Sequence, residues 1–139
     1  MIVLDTNVIS ELMRVNATPQ VINWVASYPS QELFTTTITQ AEILYGLAIL
    51  PLGKRKTDLE KAAYKMFEEE FQNRIFPFDK NAAITFSEIA AWRRQLGSPI
   101  SQADAQIAAI AKSRRASLAT RNVSDFENCQ LSIINPWSL

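Results

Sequence analysis

Five short apolar runs, at residues 2–5, 33–36, 75–78, 117–120 and 131–135, punctuate this chain of 139 residues, and the stretches between them are long enough for helices. Runs this short, rich in branched and aromatic side chains, suit strands buried on both faces. The segments 7–14, 19–28, 40–50, 57–73, 81–96 and 102–113 place their apolar residues on one side of a helix, as with Ile107, Ile110 and Ala111, or Ile43, Leu44, Leu47 and Leu50. Pro19 after Thr18 suits a first helical turn, and Pro51 stops the helix before it. Strands separated by helices need crossovers, and right-handed crossovers give a mostly parallel sheet covered on both faces. The expectation is an α/β fold with three α/β/α layers. Without repeats or linkers, residues 1–139 are expected to form one domain. Sheets of this kind bind ligands beyond the carboxyl ends of their strands, which turns sequence positions into candidate site positions.

Absent residue types narrow the chemistry. The chain has no histidine and one cysteine, Cys129. A Ser-His-Asp triad, a Cys-His pair and an internal disulfide are therefore excluded, and structural zinc sites normally need several Cys or His ligands. Cys129 reads as a small apolar residue without a catalytic role. None of the three glycines stands in a phosphate-cradle pattern. The 14 basic and 14 acidic side chains balance, which argues against broad attraction to nucleic acid. Were four acids held on a cation, however, the basic residues would outnumber the remaining ten. No apolar run reaches membrane-spanning length, and the opening Met-Ile-Val-Leu-Asp lacks the basic lead-in of an export signal, so a cytoplasmic location is expected.

Catalysis without histidine leaves the carboxylates as the leading candidates. Asp5 ends the first strand-like run, directly before the Thr-Asn that opens a helix, which also suits an N-cap. Glu42 lies in Thr39-Gln40-Ala41-Glu42 and Asp104 in Ser101-Gln102-Ala103-Asp104, both with capping-box spacing. The same spacing recurs at 57–60 and 124–127, so each instance alone reads as a cap. Together, three acids at three helix starts on one sheet edge would converge on a pocket. Close carboxylates repel one another unless a cation sits among them. An oxygen-only donor set points to Mg²⁺ or Mn²⁺, and such an ion supports phosphodiester hydrolysis without histidine.

At the level of motifs, Ile-Val-Leu-Asp-Thr-Asn at 2–7, Thr-x-x-Glu at 39–42 with Leu44 and Gly46, and Ala103-Asp104 with Ile107-Ala108-Ala109 resemble PIN-domain ribonucleases. Ala119-Thr120-Arg121-Asn122 with Asp125-Phe126 extends the likeness over the whole chain. In detail the chain is similar to the VapC toxins of bacterial toxin–antitoxin pairs. Phe76-Pro77-Phe78-Asp79 and Asn135-Pro136-Trp137 point to the FitB-like branch. The resemblance implies metal ligation by Asp5, Glu42 and Asp104. It leaves a fourth acidic position divided between Asn122, which brings no charge, and Asp125, the expected outer acid of the catalytic set. Thr120 and Asn122 are lesser candidates there, and Thr6 and Asn7 would orient Asp5. The implied partners are an RNA substrate, a second copy of the chain, and an antitoxin through which DNA is met indirectly.

Among the basic clusters, 53–56, Arg93-Arg94 and Arg114-Arg115 could meet RNA or simply lie on solvated helix ends. Arg121, next to the expected pocket, is the substrate-binding candidate. Trp24, Leu47, Leu50, Tyr64 and Phe67 fit partner contacts and core equally well. Two competing readings are a phosphoryl-transfer or receiver domain using Asp5, and a binding module whose acids only cap helices.

Overall fold

A computed structural model describes residues 1–139. Strands β1 (Ile2–Leu4), β2 (Leu33–Thr36), β3 (Ile75–Phe76), β4 (Ser117–Ala119) and β5 (Ile133–Ile134) form one sheet in the order β3-β2-β1-β4-β5. All four pairings are parallel, so every carboxyl end lies on the same edge. Six helices surround it: α1 (Thr6–Leu12), α2 (Pro19–Ala26), α3 (Thr37–Ala48), α4 (Lys54–Tyr64), α5 (Lys80–Gln95) and α6 (Gln102–Ser113).

Alternation along the strands splits the core into two layers. Ile2 and Leu4 pack with Val8, Val21, Trp24, Ile43 and Leu47 from α1, α2 and α3, whereas Val3 and Leu118 face Ile89, Ile107 and Ile110 from α5 and α6. Residues of α6 from Ile107 to Ala111 are all fully buried, because their small side chains let this helix lie close against both sheet and α5. The chain first winds from β1 outward through β2 to β3, then returns to β4 and β5 on the other side of β1. The winding thus reverses between β1 and β4, a crevice where α/β sheets bind ligands.

Several boundaries differ from the sequence expectation. Helix α3 starts at Thr37 rather than at residue 40, because the buried Thr36 side chain caps it by accepting from the Thr39 amide at 3.0 Å. The segment expected as one helix over 57–73 begins at Lys54 and changes into a π-helical turn over Lys65–Glu70, closed by the Phe71 amide on the Met66 carbonyl. Widening the turn brings Met66, Phe67 and Phe71 together into the core. Two 3₁₀ turns, Ser30–Glu32 and Val123–Phe126, have no periodic signature in the sequence.

Candidate metal and nucleic-acid site

Asp5 sits directly after β1, where its amide donates to the Ala119 carbonyl of β4 at 2.9 Å. The strand pair therefore fixes the backbone of this residue at the crevice. Its Oδ1 accepts from the Thr6 amide at 2.8 Å, so it is also the N-cap of α1. Its Oδ2 accepts from the Thr120 hydroxyl at 2.7 Å. That hydroxyl is itself oriented by donors from the Asn7 side chain at 3.2 Å and the Asn122 amide at 3.1 Å. Asn7 in turn accepts from the Arg121 amide at 3.2 Å, tying the loop after β4 to α1. Thr6, Asn7, Thr120 and Asn122 thus form a network around Asp5.

The capping-box reading of Thr39 to Glu42 is corrected. With α3 beginning at Thr37, Glu42 lies more than one turn inside the helix, where its carboxylate accepts from the Thr6 hydroxyl at 2.7 Å. The same hydroxyl stands 3.0 Å from that of Thr39. At Asp104 the cap is Ser101, whose side chain accepts from the Asp104 amide at 3.2 Å. The same Ser101 side chain is the hydrogen-bonding group that lowers the proton affinity of the Asp104 carboxyl, which lines the pocket. Thr57 lies inside α4 and bonds back to the Gly53 carbonyl, so the third box is no cap either.

Asp5, Glu42 and Asp104 line one cleft of about 460 Å³ together with Thr6, Asn7, Arg121 and Asn122. Burial is the main cause that pushes the Asp5 carboxyl from 3.8 up to about 6, against the hydrogen bonds from Thr120 and Thr6, with Asp104 and Glu42 adding repulsion. Asp104 is pushed up chiefly by burial, against the hydrogen bond from Ser101, with the charges of Asp125 and Glu42 adding to the rise and that of Arg93 opposing it. Asp125 stands outside the cleft lining, close enough to act on Asp104 through its charge.

Nowhere do three Asp, Glu or Cys side chains stand in a ready-made ligating group. The donor set nevertheless fits a hard divalent cation. It offers only oxygen, like charges raise the proton affinity of Asp5 and Asp104, and Mg²⁺ usually takes one or two carboxylates while keeping several waters. The partly open cleft has room for those waters.

Sequence reasoning missed four lining residues, Ser10, Glu11, Arg14 and Trp137. Glu11 is buried and accepts from Arg14 at 3.1 Å and Thr18 at 3.1 Å. Its signal was an acid three residues after Val8 on the buried stripe of α1. Trp137 is the one apolar lining residue, and the Arg121 guanidinium lies over its ring at 5.2 Å.

One arginine in each of two basic pairs, Arg93 and Arg114, is structural. The Arg93 guanidinium is buried and donates to the carbonyls of Ser98, Asp125 and Glu127 at 2.7, 2.9 and 3.0 Å, so it is not an RNA contact. Arg114 ends α6, bonds Asp79 at 3.2 Å and covers the Phe76 ring. Cys129 is free and buried, its thiol pushed up chiefly by burial. No helix is long and apolar enough to cross a membrane. Trp24, Leu47 and Phe67 are core, whereas Tyr64 is largely exposed.

A parallel sheet whose acids gather at the β1/β4 reversal is the arrangement of one nuclease class, and the PIN-domain model matches residues 2–128. The chain belongs to the PIN-domain family. It is similar to the VapC ribonuclease Y4jK of Sinorhizobium fredii, with 39% identity over 99% of this chain and 98% of that protein. Toxin FitB of Neisseria gonorrhoeae is 36% identical over 99% of each chain. The structure of FitAB bound to an IR36 DNA fragment matches with a TM-score of 0.93 and 36% identity, over 100% of this chain and 97% of that chain. Ribonucleases of this family depend on a divalent metal.

Proposed function

We propose that residues 1–139 act as a single nuclease domain, a Mg²⁺- or Mn²⁺-dependent endoribonuclease and the toxin of a type II toxin–antitoxin pair. The observation that carries this reading is the buried Asp5 carboxyl, raised to about 6, in one cleft with Glu42 and Asp104. Such a cluster is unfavourable without a cation and well suited to hold one. In this reading Asp5, Glu42 and Asp104 hold the ion, and Asp125 acts from outside. A divalent ion there supplies Lewis acidity and a more acidic water.

The chain's own groups do the positioning. Thr120 and the Thr6 amide each donate to one Asp5 oxygen, which fixes the plane of that carboxylate and leaves its remaining lone pairs toward the cleft. Thr6 holds Glu42 through its hydroxyl. Arg121, steadied on Trp137, offers a cation to the scissile phosphate. Water attacks that phosphorus, leaving 5′-phosphate and 3′-hydroxyl ends. We assign the chain a cytoplasmic location and a homodimeric state and, in line with the DNA-bound FitAB complex, a cognate antitoxin that contacts DNA.

The test is cleavage of single-stranded RNA with Mg²⁺, with Mn²⁺ and after chelation, for the wild type and for Asp104→Asn. Cleavage that needs the ion and disappears in the folded variant supports the reading. Unchanged cleavage by folded Asp104→Asn in chelator would overturn the metal-site reading. Growth arrest on expression, relieved by the product of an adjacent small gene, separates a toxin from a housekeeping ribonuclease.

A further inference from the structure

The acidic cleft accounts for one phosphodiester, yet an RNA strand extends beyond the bond that is cut. Arg14 lines the cleft and also two further depressions that continue from it, and Arg55 lines both of those. The three hollows form a groove leading from Asp5 past Ser10 to the first turn of α4. We infer that this groove is a track for the RNA backbone, with Arg14 and Arg55 binding phosphates beyond the scissile one. This inference rests on the nuclease reading.

Two independent features support it. First, Arg55 is exposed and makes no ion pair or side-chain hydrogen bond, unlike Lys54, which bonds Asp58 at 3.0 Å, and Lys56, which bonds the Ala48 carbonyl. It stands in the first turn of α4, where a cation opposes the helix dipole and an anion would be favoured. A cation held without a partner in that place is relieved by a phosphate. Second, Gly46 lines the groove from inside α3, where glycine weakens a helix relative to alanine. A Cβ there would meet no heavy atom within 4 Å, so packing does not require glycine. Its missing side chain keeps the groove low. The apolar hollow between α3 and α4, lined by Leu44, Leu47 and Phe67, adjoins the groove at Leu47 but carries the acids Glu60 and Glu68 and no cation.

Binding of an RNA of about fifteen nucleotides is measured as a function of salt in the Asp5→Asn background, alongside cleavage of a dinucleotide and of the long RNA by otherwise unaltered enzyme. Arg55→Gln is expected to weaken long-RNA binding about fivefold at 0.1 M salt and to make the log–log salt slope shallower by roughly 0.7, one phosphate contact. Asp58→Asn, which removes an acid from the groove wall and frees Lys54, is expected to act in the opposite direction. Gly46→Leu should raise KM for the long RNA while dinucleotide cleavage persists.

Unchanged long-RNA affinity and slope in Arg55→Gln and Asp58→Asn, with wild-type cleavage intact, overturns the track and leaves the nuclease reading standing. Absence of RNA cleavage by the wild type with either ion overturns both. Unchanged RNA binding with weaker retention of a co-expressed antitoxin assigns the groove to protein and likewise overturns the track.

Discussion

Asp5 and Arg93 are both charged residues exposed by only 4%, and they lie at the two ends of the same design problem. Arg93 is surrounded by acceptors. Its guanidinium spans three carbonyls, the Ser98 hydroxyl and the Cys129 sulfur, and it ties the loop after α5 to the Val123–Phe126 turn. Asp5 has only two donors, and the nearest charges are two more acids. Burial with full satisfaction marks a structural tie. Burial with unrelieved like charge marks a place where something else must bind.

The difference is sharpest in Asp5→Asn. Losing the carboxylate proposed to hold the ion is expected to lower RNA cleavage by at least about a thousandfold, roughly 4 kcal/mol of barrier. The same change removes a costly buried charge, so the variant free of metal should melt higher than the wild type at pH 7.5. Cleavage rates and thermal unfolding in chelator check both halves. A variant that is inactive because it has unfolded would erase the contrast with Arg93.

Arg93→Met tests the other side. It leaves three carbonyls without their donor, a loss on the order of 3 kcal/mol in denaturant unfolding. Stability no lower than wild type would mean that Arg93 does not tie the loop after α5 to the Val123–Phe126 turn. Because the turn it holds carries Asp125, some loss of activity should follow the loss of order.

The third expectation concerns pH. The folded Asp5 carboxyl is raised from 3.8 to about 6, so the folded chain holds its proton more tightly than the unfolded one. Its contribution is fully present below about 3.8 and is lost as pH rises through about 6. At 1.36 kcal/mol per unit, the metal-free protein loses roughly 3 kcal/mol across that window through this group. Unfolding in chelator at pH 4 and pH 7 should show the fall, Asp5→Asn should flatten it, and Mg²⁺ or Mn²⁺ should restore the loss at pH 7. An identical pH profile in wild type and variant would remove the electrostatic account of the cleft.

These contrasts also mark what could be read from the sequence. The sheet was legible because buried strands are short apolar runs, and Asp5 was legible because a parallel strand ends at a ligand-binding edge. α6 was legible to the residue, since Ser101 caps it and alanines and isoleucines fill its buried face. Glu42 carried a misleading local signal. Thr39 to Glu42 has capping spacing, yet Thr36 does the capping, a choice fixed by burial in β2 rather than by local sequence. Arg93 was hidden for a different reason. A pair of arginines near a helix end looks solvated, and only the return of residues 125–127 over α5 supplies the carbonyls that bury one of them. The π turn depends on long-range packing in the same way.

The smallest effect separates Asp125 from the three acids of the cleft. Asp125 is exposed, its backbone carbonyl is bound by Arg93, and its charge reaches Asp104 without its side chain lining the pocket. Asp125→Asn is therefore expected to reduce cleavage only about fivefold, near 1 kcal/mol, by weakening the field that favours a cation beside Asp104. Asn122 lines the cleft but is neutral. Asn122→Asp should place a charge nearer the ion, lower the Mn²⁺ concentration needed for half-maximal cleavage, and compensate for Asp125→Asn in the double variant. Metal titrations of the four proteins measure this. A loss in Asp125→Asn as large as in Asp104→Asn, with no compensation from Asn122→Asp, would put Asp125 among the ligands and require the 3₁₀ turn to close toward the cleft when RNA and metal bind.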